Sequence, residues 1–346
     1  LQVDPREDLI MNRRDFIFYT ASTAGVLVPA QRSIAAPCPP PQMTVSSDKG
    51  SSSFSPDVIL EDDFKGVSTT LPDGTTKLYP DVNKWAFTFW PGVKWVDSYG
   101  EGTNWLGANY ECQTYVTPFL TKIKYVTIPP ELRYDPFSIQ SDGLHIKASL
   151  LSAAQQAAYN VGGYRRFGSG LLITRKSFTY GNIRMVAKLS SVPGSWPAFW
   201  LLAESHTWPP EIDIFEAMPW AQHQQQVHVG VIVPKGATGG FGKWVDIGFD
   251  PSKDFHEYGL NWTATTLTGL LDGKVLWEQP TPMSMQQNMY VLINFAVGGK
   301  WPFNELGVLP IDGTSTERLT AGADLIQAGF PAEMIVKSFK VTAFKC

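Results

Sequence analysis

Apolar residues recur at every second position through much of this chain. Leu144, Ile146 and Ala148 alternate with more polar neighbours, as do Ile183, Met185 and Ala187. A period of two sends successive side chains to opposite faces, so each run reads as a strand with one buried face. Near the end of the chain Ile335, Phe339 and Val341 fall on one such face with Lys337 between them, which predicts another strand. Leu270-Leu271-Asp272-Gly273-Lys274-Val275 sets Asp-Gly between two runs, the pair favoured in a two-residue hairpin turn. One helical fragment stands out, at 152–159. Many short antiparallel strands joined by turns imply an all-β fold, a sandwich of two sheets.

Composition narrows the function classes. The chain has 346 residues, 43% of them hydrophobic, which is too many for intrinsic disorder and enough for a large core. Its 30 Gly and 26 Pro are spread rather than repeated, as short strands and turns require. The net charge is −4 and only 17% of residues are charged, so the clustered positive field of a nucleic-acid binder is missing. Aromatic residues make up 13%, including 12 Trp. No glycine-rich phosphate loop, His-Glu-x-x-His or Gly-x-Ser-x-Gly motif occurs, which removes nucleotide binding, zinc proteolysis and the hydrolase elbow.

The N-terminal region reads as an address. Arg13-Arg14 precede an apolar run through Gly25-Val26-Leu27-Val28 that closes at Ser33-Ile34-Ala35-Ala36, a small-x-small pattern. This layout predicts a twin-arginine-type signal over 1–36, with residues 1–10 upstream of a natural start at Met11. The run is shorter than the ~20 apolar residues of a membrane span, so no stable insertion is expected after cleavage. Residues 37–57 form a Pro/Ser-rich linker, and 58–346 read as one domain of steady composition. The expected location is periplasmic or extracellular. Cys38, Cys112 and Cys346 lack metal spacing and fix no disulfide pairing.

The densest chemistry lies in Pro209-Pro210-Glu211-Ile212-Asp213-Ile214-Phe215-Glu216. Strict alternation puts Glu211 and Asp213 on one face and Glu216 on the other. One extra residue, a bulge around Ile214-Phe215, would return Glu216 to their side and make a row of three carboxylates. Such a row costs stability through like-charge repulsion, and the same repulsion can keep one acid protonated while another stays ionised. Two glutamates leaning together could reach the roughly 5–5.5 Å separation of a retaining glycosidase pair. On the preceding segment Trp196, Ala198 and Trp200 share one face, and tryptophan beside carboxylates suits the C–H faces of sugar rings. A negatively charged edge strand or a cation site is the alternative.

Glu211-Ile-Asp213-Ile-Phe-Glu216 resembles the E-x-D-x-x-E motif of glycoside hydrolase family 16, preceded as in that family by G-x-W-P-A-F-W-L. Asn109-Tyr-Glu111-Cys-Gln113-Thr-Tyr115, the segment around His256 and Trp262, and Tyr290 to Gly299 resemble further family segments in the family's order. The resemblance implies a concanavalin-like jelly roll of two curved antiparallel sheets, with endo-acting hydrolysis that retains anomeric configuration. It makes Glu211 the nucleophile, Asp213 its assisting carboxylate and Glu216 the general acid/base. It places Trp196 and Trp200 along the cleft, Asn109 against a non-reducing-side sugar, and His228 beside the acid/base; His256 reads as structural. No cofactor is required. Many members hold a calcium ion through an acidic residue of the last strand, where this chain has Lys337 and Ser338, which puts calcium in doubt.

The bulged motif resembles laminarinases, agarases and carrageenases more than lichenases. The expected substrate is therefore a β-linked polysaccharide, first a β-1,3- or mixed-linkage glucan, acted on by a monomer. An endo-glycanase of a bacterial exopolysaccharide, a transglycosylase, or a non-catalytic carbohydrate-binding protein on the same fold are the other readings. The segment 218–226 has no assigned role.

Overall fold

The computed structural model describes residues 57–89, 105–123, 126–308 and 315–344. The expected signal, nearly all of the linker, Cys38 and Cys346 lie outside them. The described chain forms two large sheets, almost wholly antiparallel, that sandwich one apolar core. The smaller sheet has seven strands. From one edge to the other they are Phe241–Asp246, Gln226–Ile232, Glu211–Glu216, Ser195–Ala203, Met289–Val297, Leu171–Thr174 and Trp85–Ala86. The larger sheet has ten strands, with Ala332–Thr342 running between Gly181–Lys188 and Gly143–Leu150 at its centre. Among the described residues the one parallel pairing joins Phe167–Ser169 to Gln113–Tyr115.

Alternation decides what enters the core. Leu144, Ile146 and Ala148 from one strand and Ile183, Met185 and Ala187 from the next are all buried there, as their period predicts. The smaller sheet contributes Phe199, Leu201, Phe215, Val291 and Ile293. Contacts across the sandwich include Phe215 against Tyr258, with ring centres 4.5 Å apart, and Phe199 edge-on to Phe339 at 6.2 Å. The Asp272-Gly273 hairpin forms as expected: both residues have positive φ, and Leu271 pairs with Lys274.

The last strand departs from its expected face. Val186 of the neighbouring strand pairs with Ser338 while Ala187 pairs with Val336, so one step on one side matches two on the other. This bulge moves the core face from Met334 and Val336 to Phe339 and Val341. Ile335 therefore does not share a face with Phe339 and Val341. It lies between His145 and Lys188, on the face turned away from the core.

Helices are short and peripheral. Ala153–Ala158 begins with a capping box in which Ser152 and Gln155 exchange side-chain-to-backbone hydrogen bonds. A longer helix, Thr316–Ile326, was not expected from the strand-dominated pattern. Ser315 caps it, and Leu319, Ala323 and Ile326, spaced four and three apart, bury one face of it in the core. A third helix, Lys300–Glu305, follows the Met289–Val297 strand and buries Trp301 and Phe303.

Candidate active site

Glu211–Glu216 carries both the core and the site, because its register breaks once. Across Ser195–Ala203, Trp200 faces Asp213 and Ala198 faces Glu216; across Gln226–Ile232, Gly230 faces Asp213 and His228 faces Glu216. Three steps in the carboxylate strand thus match two in each neighbour. The extra residue lets Ile212, Ile214 and Phe215 all pack into the core, and Glu211, Asp213 and Glu216 emerge together on the opposite face. The expected bulge is present at the expected place. All three acids are buried.

Each acid has a shaped surrounding. The Trp208 indole N–H, three residues upstream, donates to Glu211 Oε2 at 2.8 Å. Asp213 leans toward Gly230: a Cβ there would lie 2.8 Å from Asp213 Oδ2, so only glycine leaves the carboxylate its space. His228 Nδ1 lies 3.4 Å from Glu216 Oε2. The His228 ring stands edge-on to Trp301, at 4.9 Å between centres, and to Trp244 at 5.4 Å. A Cβ on Gly242 would meet the imidazole at 3.2 Å, so the neighbouring strand also closes on it.

The tryptophans expected along the cleft share this sheet face. Trp200 donates its N–H to Asn294 Oδ1 at 2.6 Å, and Asn294 in turn donates to the Tyr115 hydroxyl at 2.8 Å. Trp196 stands edge-on to Trp301 at 5.4 Å, in a cluster with Met218, Trp220 and Ala296. Asn109 lies on a separate segment. It ends a short 3-10 turn, and its amide donates to Glu111 Oε1 at 3.0 Å, while Gln113 donates to the other oxygen at 2.6 Å. His256 bonds Asp272 at 2.8 Å and stacks on Phe249.

Several residues at the site escaped the sequence reading. Trp208 had a local signal, since it directly precedes the Pro-Pro pair before Glu211. His223 and Glu305 had none, because they lie 82 positions apart and meet only in the fold. His223 Nε2 is 3.0 Å from Glu305 Oε2, and its ring stacks on Trp244 at 3.5 Å and 9°. Trp301 donates to Glu305 Oε1 at 2.8 Å and Gln222 to Oε2 at 2.7 Å. Burial opposes the charge on Glu305, but the hydrogen bonds from His223, Trp301 and Gln222 outweigh it and hold the carboxyl below its ordinary range.

Among the described residues, no group of three or more His, Cys, Asp or Glu side chains is arranged to hold a metal ion, and no helix is long and apolar enough to cross a membrane. Cys112 is a buried free thiol, its pKa pushed up by burial.

Comparison with known proteins identifies a family for this fold. The profile of glycosyl hydrolases family 16 matches residues 137–308. Endo-1,3-1,4-beta-glycanase EglC of Rhizobium meliloti (strain 1021) is 32% identical over 270 residues, covering 77% of this chain and 49% of that protein. Endo-1,3-1,4-beta-glycanase ExsH of the same organism is 32% identical over 244 residues, covering 70% and 45%. The chain spans about half the length of these curated relatives. Among solved structures, the laminarinase from Rhodothermus marinus superposes with a TM-score of 0.57 at 22% identity, covering 84% of this chain and 99% of that one. That likeness bears out the jelly-roll sandwich. With its bulged carboxylate strand at the centre of the matched region, the chain belongs to glycosyl hydrolase family 16.

Proposed function

We propose that this protein is an endo-acting, retaining glycoside hydrolase of β-linked glucan. The observation that carries the reading is the bulge, which gathers Glu211, Asp213 and Glu216 on one sheet face at the expense of mutual repulsion. A sheet selected only for stability, or for holding sugar, has no use for such a row.

In this reading Glu211 attacks the anomeric carbon while Glu216 gives its proton to the departing glycosidic oxygen. The C–O bond to the leaving sugar breaks as the bond to Glu211 forms. Glu216, now a carboxylate, takes a proton from water, whose oxygen attacks the same carbon and releases Glu211. Two inversions give net retention. The N–H of Trp208 orients Glu211 and bears part of its charge; Asp213 sits between the two glutamates, and His228 adjoins the acid/base. Trp196 and Trp200 line the sugar path, with Asn109 serving a more distant sugar. The chemistry calls for no cofactor.

A β-1,3- or mixed-linkage glucan fits the relatives, which are named endo-1,3-1,4-beta-glycanases, and the twin-arginine-type leader supports export to where such polymers lie. The test is oligosaccharide release from laminarin, mixed-linkage glucan, agarose, carrageenan and a bacterial exopolysaccharide, each beside Glu211→Gln. Release from a glucan that disappears in the variant supports the proposal. Release from another polymer alone moves the substrate, and binding without release from any of them overturns the enzyme in favour of a carbohydrate-binding protein.

A further inference from the structure

The segment 218–226 and the helix Lys300–Glu305 contribute nothing to the carboxylate row directly, yet they meet beside it. We propose that His223 and Glu305 form a positioning pair that holds His228, and through it the carboxyl group of Glu216, in the orientation required for proton transfer. This rests on the reading of Glu216 as acid/base.

The contacts close into a ring. His228 stands next to Glu216, and at 3.4 Å its Nδ1 sits just beyond an ordinary hydrogen bond. A displacement of a few tenths of an ångström makes or breaks that contact, so the ring's exact seat matters. The seat is built from Trp244 and Trp301, each edge-on to the imidazole. Neither indole is held by apolar packing alone. Trp301 is tied to Glu305 through its N–H, and Trp244 is covered on one face by the parallel ring of His223. His223 and Glu305 are bonded to each other, and Gln226 fixes the second nitrogen of His223 at 2.9 Å. One carboxylate therefore sets the position of both aromatic walls.

The arrangement is costly unless position is what it supplies. A buried histidine and a half-buried carboxylate lose hydration that apolar residues of similar size would not. Here the loss is offset by four directed bonds to Glu305 and His223, and those bonds fix angles that apolar contacts leave free. The ionisable groups in the unit are Glu216 and His228 on adjacent strands, His223 from its short helix and Glu305 from another. Lys243 of the edge strand lies over Phe241 instead.

The experiment compares kcat/KM for the polysaccharide with kcat/KM for a dinitrophenyl β-oligoglucoside. The second leaving group departs without protonation, so only the first reads the acid. Glu305→Gln and His223→Gln are expected to lower the polysaccharide value about tenfold, chiefly in kcat, with the dinitrophenyl value nearly unchanged and the alkaline limb of the polysaccharide profile displaced. Equal loss on both substrates, or none on either, overturns the pair's role. Where Glu305→Gln fails to fold, Trp301→Phe keeps the ring, removes its bond to Glu305, and is judged by the same two outcomes. Glu216→Ala runs alongside: if it too loses both activities equally, the assignment of Glu216 fails, and with it the basis of this proposal.

Discussion

The strands Glu211–Glu216 and Ala332–Thr342 each carry one bulge, and these two bulges have opposite visibility. In Glu211–Glu216 the extra residue adds Phe215 to Ile212 and Ile214 on the core face and collects the acids on the other. In Ala332–Thr342 it carries the core face from even to odd positions and leaves Ile335 on the far side, beside His145 and Lys188. The first bulge is forced by chemistry, since a strand without it would drive Glu216 into the sandwich, where an unpaired carboxylate is prohibitive. The second leaves a fainter mark. Unbroken alternation through Ile335, Phe339 and Val341 would put Lys337 on the core face, and the bulge leaves it exposed instead. One lysine among apolar residues nevertheless reads as a gap in the pattern rather than as a break in register.

This contrast can be broken by experiment. Glu211→Ala and Glu216→Ala are expected to lower polysaccharide turnover by more than about 10³-fold while oligosaccharide binding persists, measured by reducing-end release and calorimetry. Wild-type-like turnover in either would remove the functional reason for the first bulge. Gly230→Ala pushes a methyl group into the space of Asp213 and is expected to cost about 10²-fold in kcat with little change in melting temperature. A loss of folding without a specific loss of kcat would show that Gly230 serves the sheet rather than the carboxylate.

Trp208→Phe keeps a ring and removes one charge-assisted bond to Glu211, so a fall of roughly tenfold in kcat/KM is expected. At the second bulge, urea unfolding should show Ile335→Thr to be milder than Val336→Thr by about 1 kcal/mol, because only Val336 faces the sealed core. The reverse order would put Ile335 back on the face that alternation first suggests.

The smallest expected effect is one of pH. The Glu305 carboxyl lies below its ordinary value of 4.5, so its bonds stabilise the fold above that value and are lost as pH falls through the lower one. The stability gap between wild type and Glu305→Gln should narrow on acidification, followed by melting temperature. A gap that widens toward low pH would contradict the bonding seen around Glu305.

The sequence by itself determined the sheet class, the Asp272-Gly273 hairpin, the capped helix after Ser152 and the need for a bulge between Asp213 and Glu216. Each is a local matter, decided by side-chain period, turn conformation or the cost of burying charge within a few residues. It did not reveal the helix Thr316–Ile326, whose apolar spacing is modest and gains its meaning from the core it covers. Nor could it set His223 against Glu305, Trp200 against Asn294, or Asn294 against Tyr115, pairs separated by 82, 94 and 179 positions. Those partners are brought together by strand order, by the packing of one sheet on the other and by the turn and helix set beside them, all properties of the whole chain. Local pattern chose the face of most strand residues, Ile335 being an exception that a bulge overruled, and tertiary structure alone chose their neighbours on that face.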